Sequence, residues 1–183
     1  TNLAVAQGAL NASDGLVRTA WEKSQISSNF GGLRALTSNA LASYTSGTAS
    51  DRAGTLSGSP DVTYVTAKDT MTQVLAVTAF SASATIKAGE IITIAGRNRL
   101  NLSTRETMLN ASGAAIIFAG TVTEDVTLNG SGAGNVTVAG AAIYEANGQY
   151  NTTATAATSG DVVTLLGSAS TLYQPNMFYH EQA

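Results

Sequence analysis

Three arginines within nine residues, Arg97, Arg99 and Arg105, form the densest group of side chains able to do chemistry, and Glu106 adjoins them. Guanidinium groups at this density suit three tasks. They can grip a phosphate or carboxylate, form weak ion pairs on a solvated loop, or meet another protein surface. The other titratable residues do not assemble into a reaction set. His180 is the single histidine, and Glu181 stands beside it. Adjacent strand residues point to opposite faces, so these two make a poor acid–base pair. A zinc site wants three or four ligands, which one histidine and no cysteine do not supply. Glu124-Asp125 is the only adjacent carboxylate pair, and its surroundings are poor in aromatics. That argues for a turn or a solvated strand edge, not for glycoside hydrolysis. The run Gly130-Ser131-Gly132-Ala133-Gly134 lacks the Gly-Lys-Ser/Thr ending of a phosphate loop. Asn-x-Ser/Thr triplets at Asn11, Asn101, Asn110, Asn129, Asn135 and Asn151 are expected by chance in so Ser/Thr-rich a chain. No enzyme, no cofactor and no metal is expected.

The elements that position these residues belong to an unusual composition. Alanine, threonine, serine and glycine make up about half of the 183 residues, and only 11% are charged. A single core is comfortable at this length without disulfides or metals. The net charge of −3 excludes a dedicated nucleic-acid binder, which needs a basic face. No apolar run reaches membrane-spanning length. The chain starts at Thr1 and ends at Ala183 within a strand-like stretch, so a fragment of a longer protein is expected.

Residues 11–29 are the best helix candidate, with Leu16, Ala20 and Lys23 on one side and Trp21 as a packing anchor. Ser13 or Asp14 offers a cap, and Phe30-Gly31-Gly32 a stop. Leu33-Arg34-Ala35-Leu36-Thr37 alternates like one strand. Residues 46–60 carry almost no large apolar side chains and read as a polar linker. From residue 61 strand signals recur. They begin with Val62 and Tyr64, and continue at 74–80, at Ile91-Ile92-Thr93-Ile94-Ala95 as a buried strand, and at 115–118. Further signals fall at 122–128, 136–138, 143–144 and 162–166. The run 130–134 is read as a flexible turn between Leu128 and Val136. Short strands at this spacing predict a sandwich or a barrel.

The order of these segments resembles the coat proteins of P22-like tailed phages. Lys23-Ser24-Gln25-Ile26 through Phe30-Gly31-Gly32-Leu33-Arg34, then 37–41, is similar to the family's approach to its inserted domain. A polar linker and a strand like Val74-Leu75-Ala76-Val77-Thr78-Ala79 come next. The most specific local match is Ile86-Lys87-Ala88-Gly89-Glu90-Ile91-Ile92-Thr93-Ile94-Ala95-Gly96. Tyr173-Gln174-Pro175-Asn176-Met177-Phe178-Tyr179-His180-Glu181 resembles the strand that returns to the main coat fold.

The resemblance implies a mainly β chain. A small antiparallel β-barrel, the inserted domain, would occupy 61–172. Residues 1–45 (a short helix plus a strand) and 173–183 (the return strand) would belong to an HK97-like coat domain. It also implies two loops facing neighbouring subunits, at 46–60 and 97–112. Asp51, Arg52, Arg97, Arg99, Arg105 and Glu106 would then be interface charges. Implied partners are other copies of the coat protein in pentamers and hexamers, with scaffolding and portal proteins, and neither a membrane nor specific nucleic acid. The implied location is the virion, after synthesis in the host bacterial cytoplasm. Reversing Arg97, Arg99 and Arg105 to Glu should leave the monomer folded and reduce assembly. A competing reading is a glycan- or host-binding β-module of an adhesin or tail protein. It would need clustered exposed aromatics, and the tyrosines are dispersed along the chain.

Overall fold

The computed structural model describes residues 42–174. The chain divides into two compact units, Thr1–Ala42 and Ser43–Ala183. The helix expected at 11–29, Trp21, the strand at 33–37 and the pair His180-Glu181 all lie outside the described residues. Among the described residues no helix is long and apolar enough to cross a membrane.

Among the described residues ten strands occur in order: β1 (Tyr44–Thr45), β2 (Ala53–Leu56), β3 (Thr72–Thr78), β4 (Thr85–Ile86), β5 (Ile91–Asn98), β6 (Ile117–Val122), β7 (Val126–Thr127), β8 (Gly134–Ala139), β9 (Val162–Leu165) and β10 (Leu172–Tyr173). A one-turn helix α1 (Tyr64–Ala67) lies between β2 and β3. Six strands close into an antiparallel barrel in the order β2-β3-β8-β6-β5-β9, with β9 pairing back onto β2. Closure leaves the six barrel strands without a free edge, the feature that otherwise invites unwanted strand pairing. Two ribbons stand apart from it, β1 with β10 and β4 with β7.

Period-two alternation fills the barrel. On β3, Gln73, Leu75 and Val77 point inward while Val74 stays half exposed. Val136 and Val138 on β8, Phe118 and Val122 on β6, Ile92 and Ile94 on β5, and Val163 and Leu165 on β9 complete the interior. Each such side chain contributes about 1.5–3 kcal/mol by leaving water. The stretch Ile91 to Ala95 is less buried than its composition suggests, because Ile91 faces out at 39% exposure. The barrel exterior carries threonine, alanine and valine, which fit a pleated surface without charge.

Three strand expectations change. Ile143-Tyr144 is not a strand but irregular chain, tied by the Tyr144 amide to the Val62 carbonyl and by the Thr152 amide to the Ile143 carbonyl. Residues 46–60 are not a linker throughout, because β2 lies within them and closes the barrel. Ala53, Gly54 and Thr55 pair with Thr164, Val163 and Val162, and Thr55 and Leu56 pair with Thr78 and Val77. A barrel strand needs few large side chains when both neighbours satisfy its backbone. Here Leu56 alone supplies a large buried side chain. The strand signal at Val62 and Tyr64 is instead the approach to α1. Asp61 accepts bonds from the Thr63 amide and the Thr63 and Thr66 hydroxyls, and this favours a turn.

Strand β5 is interrupted by a bulge. Ile94 pairs with Phe118, but the next partner, Ile117, meets Asn98. Ala95, Gly96 and Arg97 therefore bulge out of the ladder, and the bulge re-aims Arg97.

Candidate interface charges and the two ends of the barrel

Strand β5 runs the length of the barrel, and a largely enclosed ion pair sits near each of its ends. At the first end Glu90, 4% exposed, precedes β5. Its Oε1 lies 2.8 Å from Arg52 Nη1, without an N–H aligned on it. The same oxygen accepts from the Gly47 amide at 3.2 Å, and Oε2 accepts from the Lys87 amide at 2.7 Å. Arg52 turns its other nitrogens to carbonyls beyond β9, with Nη2 donating to Leu166 at 2.8 Å and Nε to Gly167 at 3.2 Å. This clamp joins the β1–β2 connection, the turn before β5 and the segment after β9. The ribbon β1/β10 is stitched to the same place. Ser46 Oγ donates to the Ser168 carbonyl and accepts from the Thr171 amide, and Tyr173 Oη accepts from the Ser168 amide. Tyr44 Oη is buried beside Glu90 with no hydrogen-bond partner among the described residues. Burial, then the Glu90 charge, pushes its ionisation upward.

At the other end the bulge aims Arg97 at Asp161, just before β9. Nε donates to Oδ2 at 2.8 Å and Nη2 to Oδ1 at 2.6 Å, a two-point grip. The third nitrogen, Nη1, donates to Thr155 Oγ1 at 2.8 Å. Burial works against the charged carboxyl of Asp161. The Arg97 guanidinium and the Thr158 amide outweigh it and hold the carboxyl below its usual range.

The remaining interface candidates are exposed. Asp51 accepts from Ser81 Oγ at 3.0 Å. Arg99, Arg105 and Glu106 stand on the excursion 99–116 between β5 and β6. Arg105 donates through Nη1 to the Asn151 carbonyl at 3.2 Å, and neither Arg99 nor Arg105 has a carboxylate partner among the described residues. The excursion is ordered by its own bonds, including Met108 N–H to the Arg99 carbonyl and Ile116 N–H to the Met108 carbonyl, both at 2.8 Å. Under it lies a cavity of about 540 Å³ lined by Met71, Arg99, Leu102, Met108, Phe118 and Ala141 among others. The lining holds no carboxylate, imidazole or thiol, hence no acid–base set. Among the described residues no three His, Cys, Asp or Glu side chains are placed to hold a metal.

The six candidates thus separate into three groups. Arg52 and Arg97 are internal clamps, Asp51 tethers a loop, and Arg99, Arg105 and Glu106 face outward. Reversing Arg97 would set Glu against the Asp161 carboxylate, so a triple reversal that includes it would damage the fold itself. Glu124-Asp125 sits between β6 and β7. Asp125 pairs with Lys87 Nζ at 2.5 Å and accepts from the Ala88 amide. The Lys87 bond first, then the amide, lowers its carboxyl.

Sequence reasoning missed Glu90 and Asp161, although each acid directly precedes an apolar strand run. It also missed what the asparagines do. Asn110 and Asn129 each open the pattern Asn-x-Ser-Gly-Ala. Each Oδ1 accepts from the amide and hydroxyl of the serine two residues on, and from the amide of the alanine four residues on, at 2.7–3.0 Å. The run 130–134 is therefore a tied turn, not a flexible one. Asn101 builds a similar turn through the Ser103 and Thr104 amides. Although dispersed along the chain, Tyr64 and Tyr150 stack with ring centroids 4.1 Å apart. That is one pair, not an aromatic platform.

Comparison with known proteins gives the family. The family model described as P22 coat protein, gene protein 5, matches residues 1–183. A major capsid protein of Acyrthosiphon pisum secondary endosymbiont phage 1 is 41% identical over 182 residues, covering 98% of this chain. The chain spans 43% of the length of that relative. The CUS-3 coat protein I-domain aligns at 21% identity with a TM-score of 0.42, over 63% of this chain and 96% of that one. Matched along its whole length by the family model, the chain belongs to the P22 coat protein family.

Proposed function

We propose that this chain is part of a phage major capsid protein. It carries the inserted β-barrel of a coat subunit, and its role is structural, in the virion. The observation that carries the reading is the family match over the full chain, joined to 41% identity with a named capsid protein. The fold suits an insertion. The incoming strand β1 and the outgoing strand β10 pair side by side, Tyr44 with Tyr173 and Thr45 with Leu172. A domain entered and left at one place can be set into a host fold without disturbing it. The coat domain around it would be HK97-like, and its partners would be further copies of the coat protein in pentamers and hexamers, with scaffolding and portal proteins. Synthesis would be in the host bacterial cytoplasm.

The outward charges Arg99, Arg105 and Glu106 on the excursion 99–116, with Asp51, are the residues assigned to contacts between copies. Arginine is enriched at such interfaces, and a charge left in water is free to meet a neighbour. The test is the double reversal R99E/R105E in the full-length coat product, with Arg97 left intact. Sedimentation and negative-stain microscopy should show soluble subunits but few shells. Normal shells would remove the excursion from the interface.

A further inference from the structure

The two copies of the Asn-x-Ser-Gly-Ala turn differ at one position that controls a reaction. In both, three donors converge on the asparagine side-chain oxygen. After Asn110 comes Ala111, and after Asn129 comes Gly130. We propose that Asn129 is a self-modification site, where the chain converts its own asparagine to aspartate and isoaspartate through a cyclic imide.

The step balances with water as the only co-reactant. The Gly130 amide gives its proton to solvent base, and its nitrogen bonds to Asn129 Cγ. The electron pair of the carbonyl moves onto Oδ1. It then returns as the Cγ–Nδ2 bond breaks, and the nitrogen leaves as ammonia after taking a proton from solvent. Water opens the resulting ring at either carbonyl. No oxidation is involved.

Several features of the turn favour this step. Among the described residues the Gly130 amide has no acceptor, so the nucleophile is not already engaged. A Cβ built on Gly130 would meet nothing within 4 Å, so the approach is open. Asn129 Oδ1 accepts from the Ser131 amide at 2.9 Å, Ser131 Oγ at 2.8 Å and the Ala133 amide at 2.9 Å. These donors polarise the carbonyl and hold the charge that develops on its oxygen, as an oxyanion hole does. Asn129 Nδ2 has no partner among the described residues and is free to leave.

Two internal controls sharpen the assignment. Asn110 has the same three donors, but the methyl group of Ala111 hinders the backbone approach that glycine permits. Asn147 is followed by Gly148, yet nothing among the described residues polarises its side chain, and the Gly148 amide already donates to the Glu145 carbonyl at 2.9 Å. The order of conversion is therefore Asn129 first, then Asn147, then Asn110. Each event adds one negative charge per copy. The isoaspartate form also lengthens the main chain beside Gly132. There φ is +70°, and a Cβ would fall onto the Phe80 carbonyl, so the turn has little slack.

The test incubates the intact chain at neutral to mildly alkaline pH and follows each asparagine by peptide mass spectrometry with isoaspartate detection. Asn129 should convert first. Gly130→Ala, which meets no neighbour, should slow it about tenfold by restoring a Cβ. Ser131→Ala should slow it about threefold, a modest effect because the site is open to water. Conversion of Asn147 at the rate of Asn129 or faster would overturn the proposal. Faster conversion in Ser131→Ala would too, because the three donors would then protect the amide. The ranking within the unmutated chain stands as a test even if a variant folds poorly.

Discussion

Arg97 and Arg99 are two residues apart and lead opposite lives. Arg97 is turned by the β5 bulge into a two-point grip on Asp161, and both side chains are less than one-fifth exposed. Arg99 stands on the excursion beyond the barrel, exposed and without a carboxylate partner among the described residues. The clamp of Arg52 on Glu90 repeats the internal arrangement at the opposite end of β5. A charge withdrawn from water must be paired where it lies, so it fixes a shape. A charge left in water contributes little to its own subunit and remains available to a neighbour. The clamps therefore belong to folding, and the excursion's charges are the ones we propose for contacts between copies.

The sharpest way to break this division is Glu90→Ala. It strands the Arg52 guanidinium, whose side chain is 11% exposed, and frees the Gly47 and Lys87 amides. A loss of about 3–5 kcal/mol is expected in denaturant unfolding of the whole chain. A loss under about 1 kcal/mol would mean the clamp behaves like a surface pair.

Asp161→Asn comes next, at about 2 kcal/mol near neutral pH, for exchanging a charge-assisted grip for a neutral one. Its pH dependence has a definite sign. The folded carboxyl is lowered, so its contribution is complete above the unfolded value of about 3.9 and disappears as pH falls through the lower folded value. The gap between wild type and variant should close below about pH 4. A gap of constant size in unfolding titrations would contradict the assignment.

The excursion should respond in the opposite manner. R99E/R105E should change unfolding of the chain by less than about 1 kcal/mol, and only shell formation should suffer. Equal damage to both would merge the two regions. The smallest effect is expected inside the first clamp. Tyr44 Oη has no partner among the described residues, so Tyr44→Phe should be neutral or stabilising by up to about 1 kcal/mol in thermal melts.

The strand map was largely legible because alternation such as that of Leu75 and Val77 against Val74 records which face meets the core. Strand β2 was not legible. Ala53-Gly54-Thr55-Leu56 has one large side chain, and its strand character comes from β3 and β9 on either side. The candidate charges were visible as a cluster, but their roles were not. Spacing alone does not distinguish Arg97 from Arg99, because the bulge that separates them depends on pairing with β6.

By itself the sequence determined the β class and the scarcity of charge, because composition and period-two patterning are local properties of the chain. The tertiary structure alone decided the closure of the barrel, the pairing of β1 with β10, and which arginines are enclosed. Each of these rests on contacts between residues far apart in the chain, such as Arg52 with Glu90 or Arg97 with Asp161, whose partners come together only when the strands register.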